Sequence, residues 1–254
     1  MSKSRPRKHQ GSARAKNSSA KLPKDQIWLW GSHAIMAALA NPQRRCVRLL
    51  ASRNAKSRLG DALAAAELIE PAALDALLPP GAVHQGVAGI FNPLPDQALE
   101  DVIASGAQRL VVLDQISDPQ NLGAIFRSAA AFGFAAIIRQ TRNAPDITGV
   151  AAKAAVGAVE RVAECRVVNI ARTLETLNAE GYHTVGLAGG GRNTVGKAVQ
   201  GASKLVLVLG AEGPGLRPAV AKACAELARI PIAAEMESLN VSNAAAIAFY
   251  EAAK

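Results

Sequence analysis

Short unbroken apolar runs alternate with stretches of helical period along almost the whole chain. Residues 27–30 (Ile-Trp-Leu-Trp) are one such run, read as a strand or anchor, and Ser32 is placed to cap a helix over 33–39. Residues 47–51 read as strand and 55–68 as helix. Residues 71–78 read as a helix that opens on Pro71 and stops at Pro79-Pro80-Gly81, and 87–91 as the next strand. This alternation predicts a small α/β domain over 27–91. Asn92-Pro-Leu-Pro-Asp96 suits neither period, so 92–107 is expected to link that domain to a second one over 108–254.

The second region repeats the alternation more strongly. Strands are predicted at 110–113, 135–138, 184–187 and 205–209. Helices are predicted at 119–132 (closed by Gly133), 148–156, 170–179, 219–227 and 241–253. Strands built of continuous apolar residues and separated by helices are buried on both faces, which predicts a parallel sheet with helices on each side.

Composition changes the picture in a few places. Half of the chain is apolar but only 4% is aromatic, so helices should approach the sheet closely on small side chains. The net charge of +9 is uneven, because residues 1–26 hold eight of the 29 Lys/Arg side chains and one of the 20 acids, Asp25. Such a tail buries too little to offset its ordering entropy and is expected to be disordered in isolation. Its functional reading is a salt-sensitive hold on phosphate backbone; a solubilising tail or a transit peptide are the rival readings. Cys46, Cys165 and Cys224 form no CxxC pair and the four histidines do not cluster with them, so buried reduced thiols and no metal site are expected. No apolar run approaches the ~20 residues of a membrane span, and no secretory signal is evident at the start. The expectation is a cytoplasmic protein with no membrane partner.

Three polar segments carry candidate chemistry. In the first, Asp118 can cap a helix with Pro119 at its first position. At about 100° per residue, Leu122, Ile125, Phe126, Ala129 and Gly133 make one apolar stripe, with Arg127 nearly opposite and Asn121 to one side. Gly123 allows close approach of a ligand or another backbone. In the second, strand 205–209 runs into Gly210-Ala-Glu212-Gly213-Pro-Gly215, without the Lys-Ser/Thr of a P-loop or the spacing of a dinucleotide fingerprint. The third, Ser238-Leu239-Asn240-Val-Ser242, offers more capping residues than one helix needs, with Asn240 or Ser242 as the cap. Each segment alone is also satisfied by a helix cap or a glycine turn.

Taken in order, these segments resemble the three signature motifs of the SpoU (TrmH) family of RNA ribose methyltransferases. The likeness covers about 27–254. Gly31-Ser-His33, His84-Gln85-Gly86, Lys153-Ala-Ala-Val-Gly157-Ala158-Val-Glu160 and Val167-Val-Asn169 look like stretches of two-domain bacterial members that act on ribosomal RNA. The resemblance implies a trefoil-knotted parallel sheet of SPOUT type preceded by a small α/β substrate-binding domain. It also implies a homodimer and S-adenosylmethionine as cofactor. Asn121, Arg127, Glu212, Ser238 and Asn240 would line the reaction site, and Leu187, Gly189, Gly210, Glu212, Gly213, Ile230, Leu239 and Asn240 would contact the cofactor. His33 and His84 are candidate RNA contacts or structural histidines. Ala188-Gly189-Gly190-Gly191 departs from relatives that carry an acid there. The implied reaction is methylation of a ribose 2′-hydroxyl, of a guanosine in 23S ribosomal RNA, with a tRNA ribose or a non-catalytic RNA-binding assembly factor as alternatives. A nucleotide-dependent oxidoreductase would need an early glycine fingerprint that the chain lacks.

Overall fold

The computed structural model of the chain describes residues 22–254 except Lys24, Asn143 and Pro145. The basic run at 1–21, and the expectations attached to it, lie outside the described residues. The amino-terminal part is a four-stranded sheet built from β1 (Ile27–Trp30), β2 (Cys46–Ala51), β3 (Glu67–Leu68) and β4 (Val87–Phe91), in the order β1-β4-β2-β3. It carries α1 (Ser32–Ala40), α2 (Arg53–Leu59) and α3 (Pro71–Leu77). Two sequence expectations are corrected here. Ser32 is the first helical residue rather than the cap; Gly31 holds the cap position at φ 87°. The helix expected over 55–68 is capped by Ser52, whose Oγ accepts from Ala55 N, and ends at Leu59 because Gly60 turns the chain at φ 61°. A 3-10 turn and the short strand β3, parallel to β2, follow it.

The remainder is a seven-stranded, wholly parallel sheet with helices on both faces, as the apolar runs predict. A short helix, α4 (Leu99–Ala104), leads into β5 (Arg109–Asp114), α5 (Pro119–Ala131), β6 (Ala136–Gln140), α6 (Gly149–Ala155) and β7 (Ala163–Val167). Then come α7 (Ile170–Ala179), β8 (His183–Leu187), β9 (Asn193–Thr194), α8 (Val195–Ala198) and β10 (Leu205–Gly210). The last elements are α9 (Pro218–Ala223), β11 (Glu226–Arg229) and α10 (Val241–Ala253). The order across the sheet is β7-β6-β5-β10-β8-β11-β9. The helix expected over 219–227 is too long: the chain leaves α9 at Ala223, and residues 226–229 pair with β8 and β9.

Alternation along the central strands explains why both faces are covered. Val111 and Leu113 of β5, with Leu207 and Leu209 of β10, join the core under α5, α6, α8 and α10. Leu110 and Val112, with Val206 and Val208, join the core under α7 and α9. Small residues set the helix distances: a Cβ on Gly123 of α5 would collide with Ala151 O of α6. The first core is continuous with Leu29, Ile35 and Ala38 of the amino-terminal part, so the two sheets share buried apolar contact.

Polar links reinforce that joint. Arg44 and Glu160, with side chains only 2% and 4% exposed, form a two-pronged ion pair at 2.7–3.2 Å. Asn41 Nδ2 donates to Glu160 Oε2 at 2.8 Å, and Arg44 donates to Asn92 O at 2.9 Å. Lys153 of α6 donates to Gln85 Oε1 at 3.0 Å, and the same oxygen accepts from Ser32 N. Cys46 is exposed, Cys165 buried and Cys224 half-buried, so the expectation of three buried thiols fails at Cys46, which opens β2 near the sheet's rim.

Candidate functional site

Because the large sheet is parallel, the carboxyl ends of its strands share one edge, where open α/β sheets place their sites. Three segments converge there: the start of α5 after β5, the loop after β10, and the segment from β11 into α10. The cap of α5 is Asp118, whose carboxylate accepts from Asn121 N at 2.9 Å, with Pro119 at the first turn. This cap fixes the helix turn from which the Asn121 side chain projects.

Asn121, Glu212 and Asn240 close a hydrogen-bonded triangle. Glu212 Oε1 accepts from Asn121 Nδ2 at 2.8 Å and from Asn240 Nδ2 at 2.8 Å, while Asn240 Nδ2 also lies 3.0 Å from Asn121 Oδ1. Asn240 is the cap of α10: its Oδ1 accepts from Ser242 N at 2.9 Å and from Ser242 Oγ at 2.6 Å. With Oδ1 held by the helix, Nδ2 has to face Glu212, so the cap and the triangle orient one side chain together. Glu212 Oε2 has no hydrogen-bond partner among the described residues.

The other predicted positions fall around this triangle unequally. Arg127 is exposed on the outer side of α5 and has no hydrogen-bond or ion-pair partner among the described residues. Ser238 is exposed and outside the triangle's hydrogen bonds. Leu187, Gly210 and Ile230 stand at the ends of three strands adjacent in the sheet, β8, β10 and β11, and are half-buried. A Cβ on Gly210 would collide with the carbonyl of Gly215, because the loop folds back on its own strand. Gly213 is exposed at φ 82°, Gly189 is exposed with open space around it, and Leu239 is half-buried. The 188–191 turn is tight: Gly191 N donates to Ala188 O, Arg229 donates to the carbonyls of Gly191 and Arg192, and a Cβ on Gly191 would collide with Ala228.

Sequence reasoning missed the support beneath the loop. Asp114, fully buried at the end of β5, accepts from Arg217 N at 3.0 Å and from the Arg217 guanidinium at 2.6–2.7 Å. Arg217 also donates to Gln140 Oε1 at 3.0 Å. The loop after β10 is thereby tied at both ends, by the sheet at Gly210 and by Asp114 at Arg217. The one signal in the sequence is an acid ending a run of four buried apolar residues, where an unpaired charge would be costly.

The flanking stretches lie at the joint between the two sheets. A Cβ on Gly31 would collide with Lys153, and one on Gly157 would come within 2.7 Å of Ala37 Cβ. His84 is held on both nitrogens, Nδ1 accepting from Gly86 N at 3.0 Å and Nε2 lying 3.0 Å from Asp75 Oδ1. His33 is exposed. No group of three or more His, Cys, Asp or Glu side chains among the described residues is arranged to hold a metal ion. No helix among them is long and apolar enough to cross a membrane.

Comparison with known proteins matches two stretches of the chain to family descriptions. Residues 108–250 match the SpoU rRNA Methylase family, and residues 28–97 match the RNA 2'-O ribose methyltransferase substrate binding family. The 23S rRNA (guanosine-2'-O-)-methyltransferase RlmB of Vibrio cholerae is 36% identical over 241 residues, covering 89% of this chain and 96% of that one. An uncharacterized tRNA/rRNA methyltransferase of Mycobacterium avium is 40% identical over 173 residues; the match covers 66% of this chain and 56% of the longer relative. The crystal structure of the SpoU methyltransferase AviRb from Streptomyces viridochromogenes, in complex with AdoMet, superposes with a TM-score of 0.72 at 25% identity. That match covers 95% of this chain and 93% of AviRb.

Proposed function

We propose that this chain, which belongs to the SpoU rRNA methylase family, transfers a methyl group from S-adenosylmethionine to a ribose 2′-hydroxyl of RNA, with a guanosine of 23S ribosomal RNA as the substrate. One observation carries the reading: Asn121, Glu212 and Asn240, from three distant segments, meet in one hydrogen-bonded triangle at the carboxyl edge of the sheet. The similarity to RlmB across most of both chains supports the guanosine; a tRNA ribose is the second choice.

The residues present fit the cofactor. The loops after β8, β10 and β11 offer backbone groups and open glycine surface at Gly189 and Gly213, with the Glu212 carboxylate held among them by Asn121 and Asn240. Such a set suits a cationic, phosphate-free ligand better than a nucleotide phosphate. We assign Leu187, Gly189, Gly210, Glu212, Gly213, Ile230, Leu239 and Asn240 to holding it. When bound, S-adenosylmethionine supplies an electrophilic methyl on a sulfonium.

The protein's part is to align the attacking oxygen and to favour the charge that develops on it. Asn121 and Asn240 fix the Glu212 carboxylate through Oε1, leaving Oε2 open to accept from a ribose hydroxyl. Arg127, exposed and without a partner among the described residues, is assigned as a clamp on an RNA phosphate, because a guanidinium holds its proton too tightly to act as a base. Ser238 completes the assigned set.

Several coarser features belong to the same reading. Residues 1–26 act as an accessory RNA-binding tail, 27–91 as the substrate domain, 92–107 as the linker and 108–254 as the methyltransferase domain, knotted where 230–240 passes beside the 210–216 loop. The exposed apolar side chains Ile232, Met236, Ile247 and Tyr250 give a homodimer its contact surface. The enzyme works in the cytoplasm, with RNA as its partner. Single-turnover assays with Arg127→Lys and Arg127→Ala test the assignment: the clamp requires partial activity with Lys and weakened RNA binding with Ala. Mapping 2′-O-methyl positions in ribosomal RNA from a strain lacking the gene, against the complemented strain, identifies the nucleotide; an unchanged map overturns the substrate.

A further inference from the structure

An apolar groove of ≈ 620 Å³ opens beside the start of α5, outside the polar triangle. Its walls are Trp28 and Trp30 of β1, Pro79 and Pro80 after α3, Val150 of α6 and Pro119 of α5. The two tryptophans, the only two in the chain, are used differently. Trp30 is 5% exposed and packs so closely on α6 that a Cβ at Gly149 would collide with its ring. Trp28 keeps part of its surface open to the groove. Burial in the core therefore accounts for Trp30 and leaves Trp28 available.

We infer that this groove receives an unstacked base of the substrate RNA, one that neighbours the reacting nucleotide, with the open face of Trp28 as its stacking platform. Three observations select that occupant. Indole and proline rings give a flat, apolar surface, and single-stranded RNA is recognised largely by stacking unpaired bases on such surfaces. The groove also lies near the site: one of its walls is Pro119, in the first turn of α5, the same turn that carries Asn121 about 3 Å further along the axis and about 200° around it. Finally, Leu22 lines the groove, and the chain continues from it directly into the segment bearing Lys3, Arg5, Arg7, Lys8, Arg14, Lys16 and Lys21. An RNA strand carries phosphates that this covalently attached charge can neutralise, whereas an apolar protein segment would gain nothing from it.

The inference rests on the RNA substrate proposed above and deepens it. Its test uses the full chain at fixed salt, a single-stranded 12-nucleotide RNA with a central guanosine, and ribosomal RNA transcribed without modifications. In the wild type, the short RNA quenches tryptophan fluorescence, and Trp28→Phe removes most of the quenching while keeping affinity within about threefold. Trp28→Ala weakens binding by about 5- to 150-fold, the range that one base–aromatic stack carries. S-adenosylmethionine affinity by calorimetry stays unchanged in both variants, which shows that the fold survives. Quenching absent in the wild type, or affinity within twofold in a Trp28→Ala protein that still binds the cofactor, overturns the groove while leaving methyl transfer intact. A wild type that binds neither RNA overturns the groove and the substrate reading together. Fluorescence that responds to deletion of residues 1–21 and not to RNA assigns the groove to the chain's own tail and overturns the RNA base.

Discussion

Replacing Asn240 with aspartate exchanges one amide nitrogen for an oxygen and leaves the helix cap in place. The retained oxygen still accepts from Ser242 N and Oγ, so α10 keeps its start. The lost nitrogen donates to Glu212 Oε1 at 2.8 Å and faces Asn121 Oδ1 at 3.0 Å. Losing that charge-assisted bond costs about 1–2 kcal/mol at an exposed position. A second carboxylate at the same distance adds about 1.5 kcal/mol of repulsion at the dielectric constant of water. A negative charge at a helix start returns about 0.3–1 kcal/mol. The net deficit is about 1.5–3 kcal/mol, or roughly 3–12 °C in Tm. The sign of its pH dependence follows from the pair: two carboxylates in contact bind a shared proton more tightly in the folded chain than in the unfolded one. The folded variant therefore gains on the wild type as pH falls, and the deficit is full at pH 8 and shrinks toward pH 5. Thermal melts of Asn240→Asp, Asn240→Ala and wild type at pH 5 and pH 8 measure it. The alanine variant loses the cap and the bond without gaining a charge, so its deficit is flat across the same range. A deficit for the aspartate variant that is equal at the two pH values, or larger at pH 5, refutes the triangle as the structure draws it.

Gly210→Ala displaces the loop that folds back on β10 and abolishes S-adenosylmethionine binding by calorimetry, whereas Gly190→Ala, in open space and outside the assigned cofactor set, keeps affinity within about threefold. Glu160→Ala leaves Arg44 buried without its counter-charge and costs about 3–5 kcal/mol, read as a lowered denaturant midpoint for a single cooperative transition. Burial pushes the Cys224 thiol up to about 12 and the Cys165 thiol to about 11. Burial also raises the Cys46 thiol, by less, so at pH 8 the contrast rests on access as well: iodoacetamide modifies the exposed Cys46 first, as mass spectrometry of the native protein will show. All three cysteines react once the chain is unfolded.

Elements whose pattern is governed by burial were legible in the sequence. The unbroken apolar runs at β5 and β10 are the central strands, and the Asp118-Pro119 pair starts α5 where the cap rules put it. Elements governed by partners were not legible. β7 carries Glu164 and Arg166, which interrupt the apolar run that marks a strand in this sequence; Glu164 Oε1 pairs with the buried Arg139 of the neighbouring β6 at 3.0 Å. Residues 226–229 continue an alanine-rich helical pattern, and only the open edge of β8 draws them into the sheet. At the site, the three motifs were readable because their residues sit close together within each segment. The Asp114–Arg217 pair was not, since its members are 103 positions apart and each looks ordinary locally.

The position of β10 also bears on how the protein is made. It lies between β5 and β8, and its pairing with β5 joins Leu205 to Arg109, so the middle of the sheet is filled by one of the last strands synthesised. The four amino-terminal strands, by contrast, all lie within residues 27–91 and can pair while the rest is still unmade. Contacts of such long range fold slowly, because the loop must close before any pairing compensates for it. A growing chain thus completes its amino-terminal sheet well before Asn240 can reach Glu212. The site is assembled last, and refolding from denaturant should restore amino-terminal structure in an early phase and cofactor binding in a later, slower one.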